Sequence, residues 1–181
     1  MENGDRARFE GIFLPHCDAA YNLARWLLRD ERDAEDAVQD AYVRAFQAFG
    51  RFRGRDGDAG KAWFLTIVRH LCYSILRKRQ RHGEEAPFDE ELHHPDGETP
   101  AEADLRLWRE ARAEVLREAL GNLRPEFREM IVMCDLEGME YKAIADVAGV
   151  PIGTVMSRLS RARTKLRAEV VSLMKEKEAS R

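Results

Sequence analysis

The sequence predicts an all-α chain, two small helical domains joined by an acidic flexible linker, with the C-terminal domain a helix-turn-helix. Three observations lead there. Apolar residues recur at i, i+3 and i+4 through most of the chain, and no segment alternates convincingly as a strand does. Residues 84–104 break that period with nine acids, no Lys or Arg, and Pro87, Pro95, Gly97 and Pro100. Residues 141–167 read as a short helix, a tight turn and a second helix studded with arginine. The expected boundaries are 1–82, a linker over 83–104, and 105–181.

Taken in order, Phe9, Ile12, Phe13, Ala20, Tyr21, Ala24, Leu27 and Leu28 predict one or two opening helices. Asp33 is placed to cap the next, with Glu35 and Asp36 in its first turn, where acids complement the helix dipole. Its apolar stripe is Ala34, Ala37, Val38, Ala41, Tyr42, Ala45, Phe46 and Phe49, and Gly50 is expected to end it. Gly54, Gly57 and Gly60 mark residues 51–61 as a loop. A further helix turns Phe64, Ile67, Val68, Leu71, Cys72, Ile75 and Leu76 inward. In the second half, residues 105–120 form a helix, Pro125 opens another through Leu136, and Gly138 closes it.

The helix-turn-helix reading rests on three positions. Ala145 is small where two helices cross, Gly149 sits where the turn needs a special backbone conformation, and Val155 plugs the core. A second helix mounted in this way can enter the major groove of DNA. The net charge of −3 seems to oppose a nucleic-acid partner, but its distribution does not. Residues 69–82 hold five Lys/Arg and no acid, and residues 142–167 hold six Lys/Arg against one Asp.

No apolar run approaches the roughly 20 residues of a membrane span. The polar N-terminus is not a signal peptide, so a cytoplasmic location is expected. Cys17, Cys72 and Cys134 are far apart in apolar patterns and read as reduced thiols. No nucleophile–base pair, phosphate loop or metal-spaced His/Cys cluster appears; His93 and His94 lie in the linker and His16 beside Cys17. The expectation is a non-enzyme without cofactor or metal.

Three segments together resemble the extracytoplasmic-function group of bacterial sigma-70 RNA polymerase sigma factors. They are Asp33-Ala-Glu-Asp-Ala-Val-Gln-Asp-Ala-Tyr-Val-Arg-Ala-Phe46, Ala62-Trp-Phe-Leu-Thr-Ile-Val-Arg69 and Gly153-Thr-Val-Met-Ser-Arg-Leu-Ser-Arg-Ala-Arg163. The resemblance implies a dissociable subunit that binds core RNA polymerase and directs initiation at promoters, in a stress or envelope response and restrained by an anti-sigma factor. A stand-alone regulator that dimerises on a palindrome is the competing reading; no dimerising coiled coil or ligand-pocket signature supports it.

Residue roles follow by the same resemblance. The face opposite the Ala34–Phe49 stripe shows Asp36, Gln39, Asp40, Val43 and Gln47, either a solvated face or an acidic docking surface with an apolar centre. Family likeness gives Asp36, Gln39, Asp40, Val43 and Arg44 to the clamp helices of the polymerase's largest subunit, and implies a further contact with its flap region. Thr66, Arg69, His70, Tyr73 and Arg77 mix cations with an aromatic ring, which suits a single strand as well as a plain basic face. The resemblance makes them readers of the minus-ten element, with the Gly-rich loop helping to hold an extruded base. His70 and Ser74 depart from the residues common in the family.

The minus-thirty-five element falls to Gly153, Thr154, Met156, Ser157, Arg158, Ser160, Arg161, Arg163 and Lys165. Gly153 and Thr154 suit a phosphate near the helix start, and Met156 an apolar contact. Arg161 is the leading base reader, since a guanidinium donating twice to guanine supplies roughly 1–3 kcal/mol of discrimination. Arg158, Arg163 and Lys165 are assigned to phosphates. The acidic linker reads either as a tether or as a nucleic-acid mimic for the polymerase channel. Glu140 stands where Ser or Thr usually caps the first helix of the motif.

Overall fold

A computed structural model describes residues 3–54, 57–82 and 113–179, and every element among them is helical. The N-terminal half holds α1 (Asn3–Phe13), α2 (Cys17–Leu28), α3 (Glu31–Ala48) and α4 (Gly57–Arg81). The C-terminal half holds α5 (Ala113–Asn122), α6 (Pro125–Ile131), α7 (Tyr141–Ala148) and α8 (Ile152–Ala179). The linker over 83–104, and residues 105–112 of the helix expected from 105, lie outside the described residues.

In the first half α2, α3 and α4 pack against one another. The face that α3 buries is Ala34, Ala37, Ala41 and Ala45, whose small side chains let neighbouring helices approach closely. Bulk comes from α1, which lays Phe9 and Phe13 into an aromatic cluster. Phe9 meets Tyr42, Phe46 and Phe49 edge-on at 5.0, 5.1 and 5.3 Å, and Phe13 lies 5.4 Å from both Phe52 and Trp63. The crossing of α1 over α4 is tight at Gly60, where a Cβ would stand 2.6 Å from Cγ2 of Ile12.

Two boundaries differ from expectation. α3 is capped by Asp30, whose carboxylate accepts the Asp33 N–H at 2.8 Å; Asp33 lies inside the first turn and pairs with Arg79. Arg29 makes this possible by taking a left-handed conformation (φ 56°) that ends α2 two residues before α3 begins. The described ends of the Gly-rich stretch are also more helical than its composition suggests. A 3-10 turn over Phe49–Arg51 follows Ala48, so α3 stops before Gly50, and α4 starts at Gly57. Buried Gly60 is therefore a packing residue inside a helix, where the approach of Ile12 favours glycine over better helix formers.

In the second half α8 is the backbone of the domain, packing against α5, α6 and α7. It buries Val155, Leu159, Ala162, Leu166, Val170 and Leu173 on one stripe. α6 passes into a π-helical turn over Val132–Leu136, so helical structure reaches Leu136 as the sequence predicts. Gly138 and Gly149 both adopt positive φ, 63° and 67°. Gly149 is the left-handed cap of α7, its N–H donating to the Ala145 carbonyl at 2.9 Å. Glu140 occupies the N-cap of α7 and makes no side-chain cap bond.

The halves pack on each other, with α4 along α7 and α2 against α6, and the buried apolar residues form a continuous cluster through both. Arg128 sits in the seam, 4% exposed. Its guanidinium donates to the Leu120, Gly121 and Leu123 carbonyls at the end of α5 at 3.0, 2.7 and 2.5 Å. It also reaches across to the Trp26 carbonyl of α2 at 2.7 Å.

Two substitutions probe these constraints by thermal or urea unfolding. Gly149→Ala forces a Cβ into the left-handed region and is expected to lower stability by about 1–2 kcal/mol. Arg128→Lys keeps the charge but not the planar fork, stranding buried carbonyls, and is expected to lower stability by about 2–3 kcal/mol. Wild-type stability for Arg128→Lys would show that the carbonyls find other donors.

Candidate nucleic-acid and polymerase interfaces

Three surfaces carry the candidate residues. The first is the outer face of α3. Once the alanine stripe is buried, helical geometry leaves Asp36, Gln39, Asp40, Val43, Arg44 and Gln47 exposed. Val43 is 51% exposed, an apolar side chain amid charge. Arg44 pairs with Asp40 one turn back at 3.0 Å, a surface bridge that positions side chains more than it stabilises them.

The second surface is α4. His70 and Arg77 are exposed, as is Ser74 beside them. Thr66 is half-buried and donates its hydroxyl to the Ala62 carbonyl at 2.8 Å, so it is turned onto its own helix. Arg69 and Tyr73 are held against the C-terminal domain. Arg69 donates from Nε to Oε2 of Glu129 at 2.7 Å and from Nη2 to Oε1 at 3.1 Å, while its guanidinium lies 4.4 Å from the centre of the Tyr73 ring. Burial pushes the Glu129 carboxyl up, and the two Arg69 bonds pull it back. The Tyr73 hydroxyl is buried beside the same carboxylate, and burial followed by the nearby Glu129 charge raises its pKa.

The third surface is the start of α8. Gly153, Met156, Ser157, Ser160 and Arg161 are exposed, Met156 by 54%, while Val155 and Leu159 are buried beneath them. Thr154 and Arg158 are half-buried. The Ser157 hydroxyl donates to the Thr154 carbonyl at 3.1 Å, and Thr154 N–H to the Pro151 carbonyl at 2.9 Å, which sets the first turn of the helix. Arg163 and Lys165 are committed elsewhere. Arg163 grips Asp135 with bonds of 2.6 and 3.3 Å and approaches the Cys134 sulfur at 3.8 Å, tying α8 to the π turn. Lys165 lies 5.9 Å from the centre of the Phe127 ring.

The structure therefore brings Met156, Ser157, Ser160 and Arg161 to one open face, and uses Arg163 as an anchor within its domain. Sequence reasoning missed Arg128, Glu129 and Asp135. A signal for two of them exists, because adjacent charges at 128 and 129 interrupt an otherwise apolar run from Phe127 to Met133. The cysteines are free thiols, with Cys72 buried and its pKa pushed up to about 12 by that burial. Among the described residues, no three His, Cys, Asp or Glu side chains are placed to hold a metal ion, and no helix is long and apolar enough to cross a membrane.

An exposed acidic helix, a basic–aromatic helix and a helix-turn-helix follow one another along the chain, and the family matches place this order in the sigma class of promoter-specificity factors. Residues 12–82 match sigma-70 region 2 and residues 113–166 match sigma-70 region 4. The extracytoplasmic-function RNA polymerase sigma factor SigE of Mycolicibacterium smegmatis is 33% identical over 91% of this chain and 63% of its own length. SigM of Mycobacterium tuberculosis is 32% identical over 90% of this chain and 77% of its own. Among solved structures, the sigma factor RpoE of Bartonella quintana, in complex with the anti-sigma factor NepR, superposes with a TM-score of 0.68 at 29% identity. That match covers 90% of this chain and 96% of RpoE. The chain belongs to the extracytoplasmic-function group of the sigma-70 family.

Arg161 and Arg163 separate the two uses of arginine on α8. Arg161→Ala is expected to weaken duplex binding roughly tenfold, in line with loss of one bidentate base contact, without changing the melting temperature. Arg163→Ala removes a half-buried ion pair and is expected to lower stability by about 1–2 kcal/mol. Band-shift titration and calorimetry on both variants check the division, and equal effects of the two on both readouts would contradict it.

Proposed function

We infer that this protein is a dissociable sigma subunit that binds core RNA polymerase and directs initiation at promoters with paired minus-ten and minus-thirty-five elements. It acts in the cytoplasm, where its DNA is, and is not an enzyme. The observation that carries the reading is the coexistence of an exposed acidic face with Val43 at its centre on α3 and an open Arg161 face on α8. A regulator that worked alone would need only the second.

Each surface then has a role. Asp36, Gln39, Asp40, Val43 and Arg44 meet a basic pair of helices on the polymerase, with Val43 supplying the desolvated centre around which the charges orient the docking. Thr66, Arg69, His70, Tyr73 and Arg77 meet the strand exposed as the minus-ten region melts, bases stacking on the ring while cations follow phosphates. Arg161, with Met156, Ser157 and Ser160, reads the minus-thirty-five duplex, and Gly153 and Thr154 place the helix start near a phosphate. Thr154, Arg158, Arg163 and Lys165 are half-buried here, and contact of Arg163 with DNA requires its guanidinium to leave Asp135. An anti-sigma factor, the kind of partner bound to the Bartonella relative, restrains the protein by covering these surfaces.

Transcription with purified core polymerase on a promoter library tests the reading, and promoter-specific initiation only in the presence of this protein is expected. Val43→Glu puts a charge at the apolar centre of the docking face. It is expected to weaken core binding at least tenfold, read by fluorescence titration, while leaving duplex binding by the free protein unchanged. Unaltered core affinity would remove α3 from the interface.

A further inference from the structure

Away from the three outer surfaces, the end of α2, the start of α3 and one side of α5 enclose a notch of about 280 Å³. Three arginines line it, Arg25, Arg29 and Arg117, together with Trp26. We propose that this notch binds a nucleoside monophosphate, its phosphate held by Arg29 and Arg117 and its base set against Trp26. The site is independent of the roles given to the outer faces of α3, α4 and α8.

Charge is the first support. Against the three guanidinium groups the notch sets two carboxylates, Glu31 and Glu118, and both are already engaged. Glu31 accepts from Arg25 Nη2 at 2.6 Å, and Glu118 lies 3.2 Å from Lys177 Nζ. Among the described residues no carboxylate is paired with Arg29 or Arg117. Two unmatched forks lining one small concavity suit a phosphate, which accepts from guanidinium groups in pairs.

The placement of Arg29 is the second support. Among the described residues it is the one non-glycine in the left-handed region (φ 56°), which Gly or Asn would occupy with less strain. Strained residues of this kind concentrate at ligand sites. Its guanidinium lies over Gly121, where an added Cβ would stand 3.3 Å from Nη2 and 3.4 Å from Cζ. The carbonyls at that end of α5 do not call for it, because Arg128 already donates to those of Leu120, Gly121 and Leu123. Arg29 is thus held in the wall of the notch with its donors uncommitted.

Size and polarity narrow the ligand. Trp26 is half-buried, packed on the core and also part of the wall, an aromatic surface beside phosphate-binding cations. The volume falls at the lower end of the roughly 300–1,000 Å³ usual for small-molecule sites, which favours a mononucleotide over a larger cofactor. Because α2 and α5 come from different halves of the chain, occupancy stabilises their packing by mass action.

Calorimetric titration of the full-length protein with adenosine or guanosine monophosphate tests the proposal, with thermal unfolding as a second readout. One site per chain is expected, with a melting temperature that rises with occupancy. Inorganic phosphate and adenosine, each offering half of the ligand, are expected to bind at least tenfold more weakly. Arg29→Asn removes the guanidinium but tolerates the left-handed backbone, and Arg117→Gln alters an exposed helix position. Each is expected to weaken nucleotide binding about tenfold, as loss of a charge-assisted hydrogen bond does. Lys142→Gln, an exposed cation on α7 outside the notch, is expected to leave it unchanged.

The proposal is overturned if neither nucleotide binds at millimolar concentration, or if both arginine variants keep wild-type affinity. Equal loss in Lys142→Gln overturns it as well, since binding would then follow overall charge. Inorganic phosphate binding as tightly as the nucleotides removes the role of Trp26 and the nucleotide with it.

Discussion

The carboxyl ends of two helices point at one guanidinium. α2 and α5 both finish near the seam between the domains, and helix ends carry unpaired carbonyls and partial negative charge. Arg128 collects three carbonyls from the α5 end and two, those of Trp26 and Leu27, from α2, and Arg79 takes the Leu28 carbonyl at the other side of the α2 terminus at 2.8 Å. Without these donors the two helices could not end in a buried place, since an unmet carbonyl there costs about 1–3 kcal/mol. The packing of α2 on α6, and through it the approach of α4 to α7, depends on that arrangement.

Arginine consequently serves two masters in this chain. Arg79, Arg128 and Arg163 are internal fasteners, whereas Arg77 and Arg161 face outward. Arg69 belongs to neither group cleanly, because its fork is matched to a carboxylate now and suits a phosphate equally. A protein that must release one partner to bind another gains from such interchangeable chemistry.

The outer face of α3 follows a different logic. Its alanines are buried so deeply that α3 sits low against its neighbours, leaving the opposite side of the helix as broad surface. Val43 stays half-exposed at the centre while flanking polar groups keep the face soluble. The start of α8 uses the same division, with Val155 and Leu159 anchoring the helix so that Met156, Ser160 and Arg161 stand clear. In both places a regular apolar stripe aims the side chains of the opposite face outward, which is why exposure can be inferred from spacing.

That spacing made the helices, the α3 face and the open face of α8 legible without coordinates. Periodicity is a local property, set by the 3.6-residue turn and readable from a single strip of chain. Asp30 in place of Asp33 as the cap of α3 turned on one residue, and glycine at position 60 looked like a loop because only the approach of Ile12 reveals it as packing. The partners of Arg69, Arg128 and Arg163 lie up to 102 residues away in sequence. By itself the sequence determined an all-helical chain with an acidic exposed face on one helix and an arginine-rich helix-turn-helix. Only the tertiary structure decided which basic side chains are free to act, because a charge's partner is set by which distant helix ends and carboxylates the packed core brings within reach.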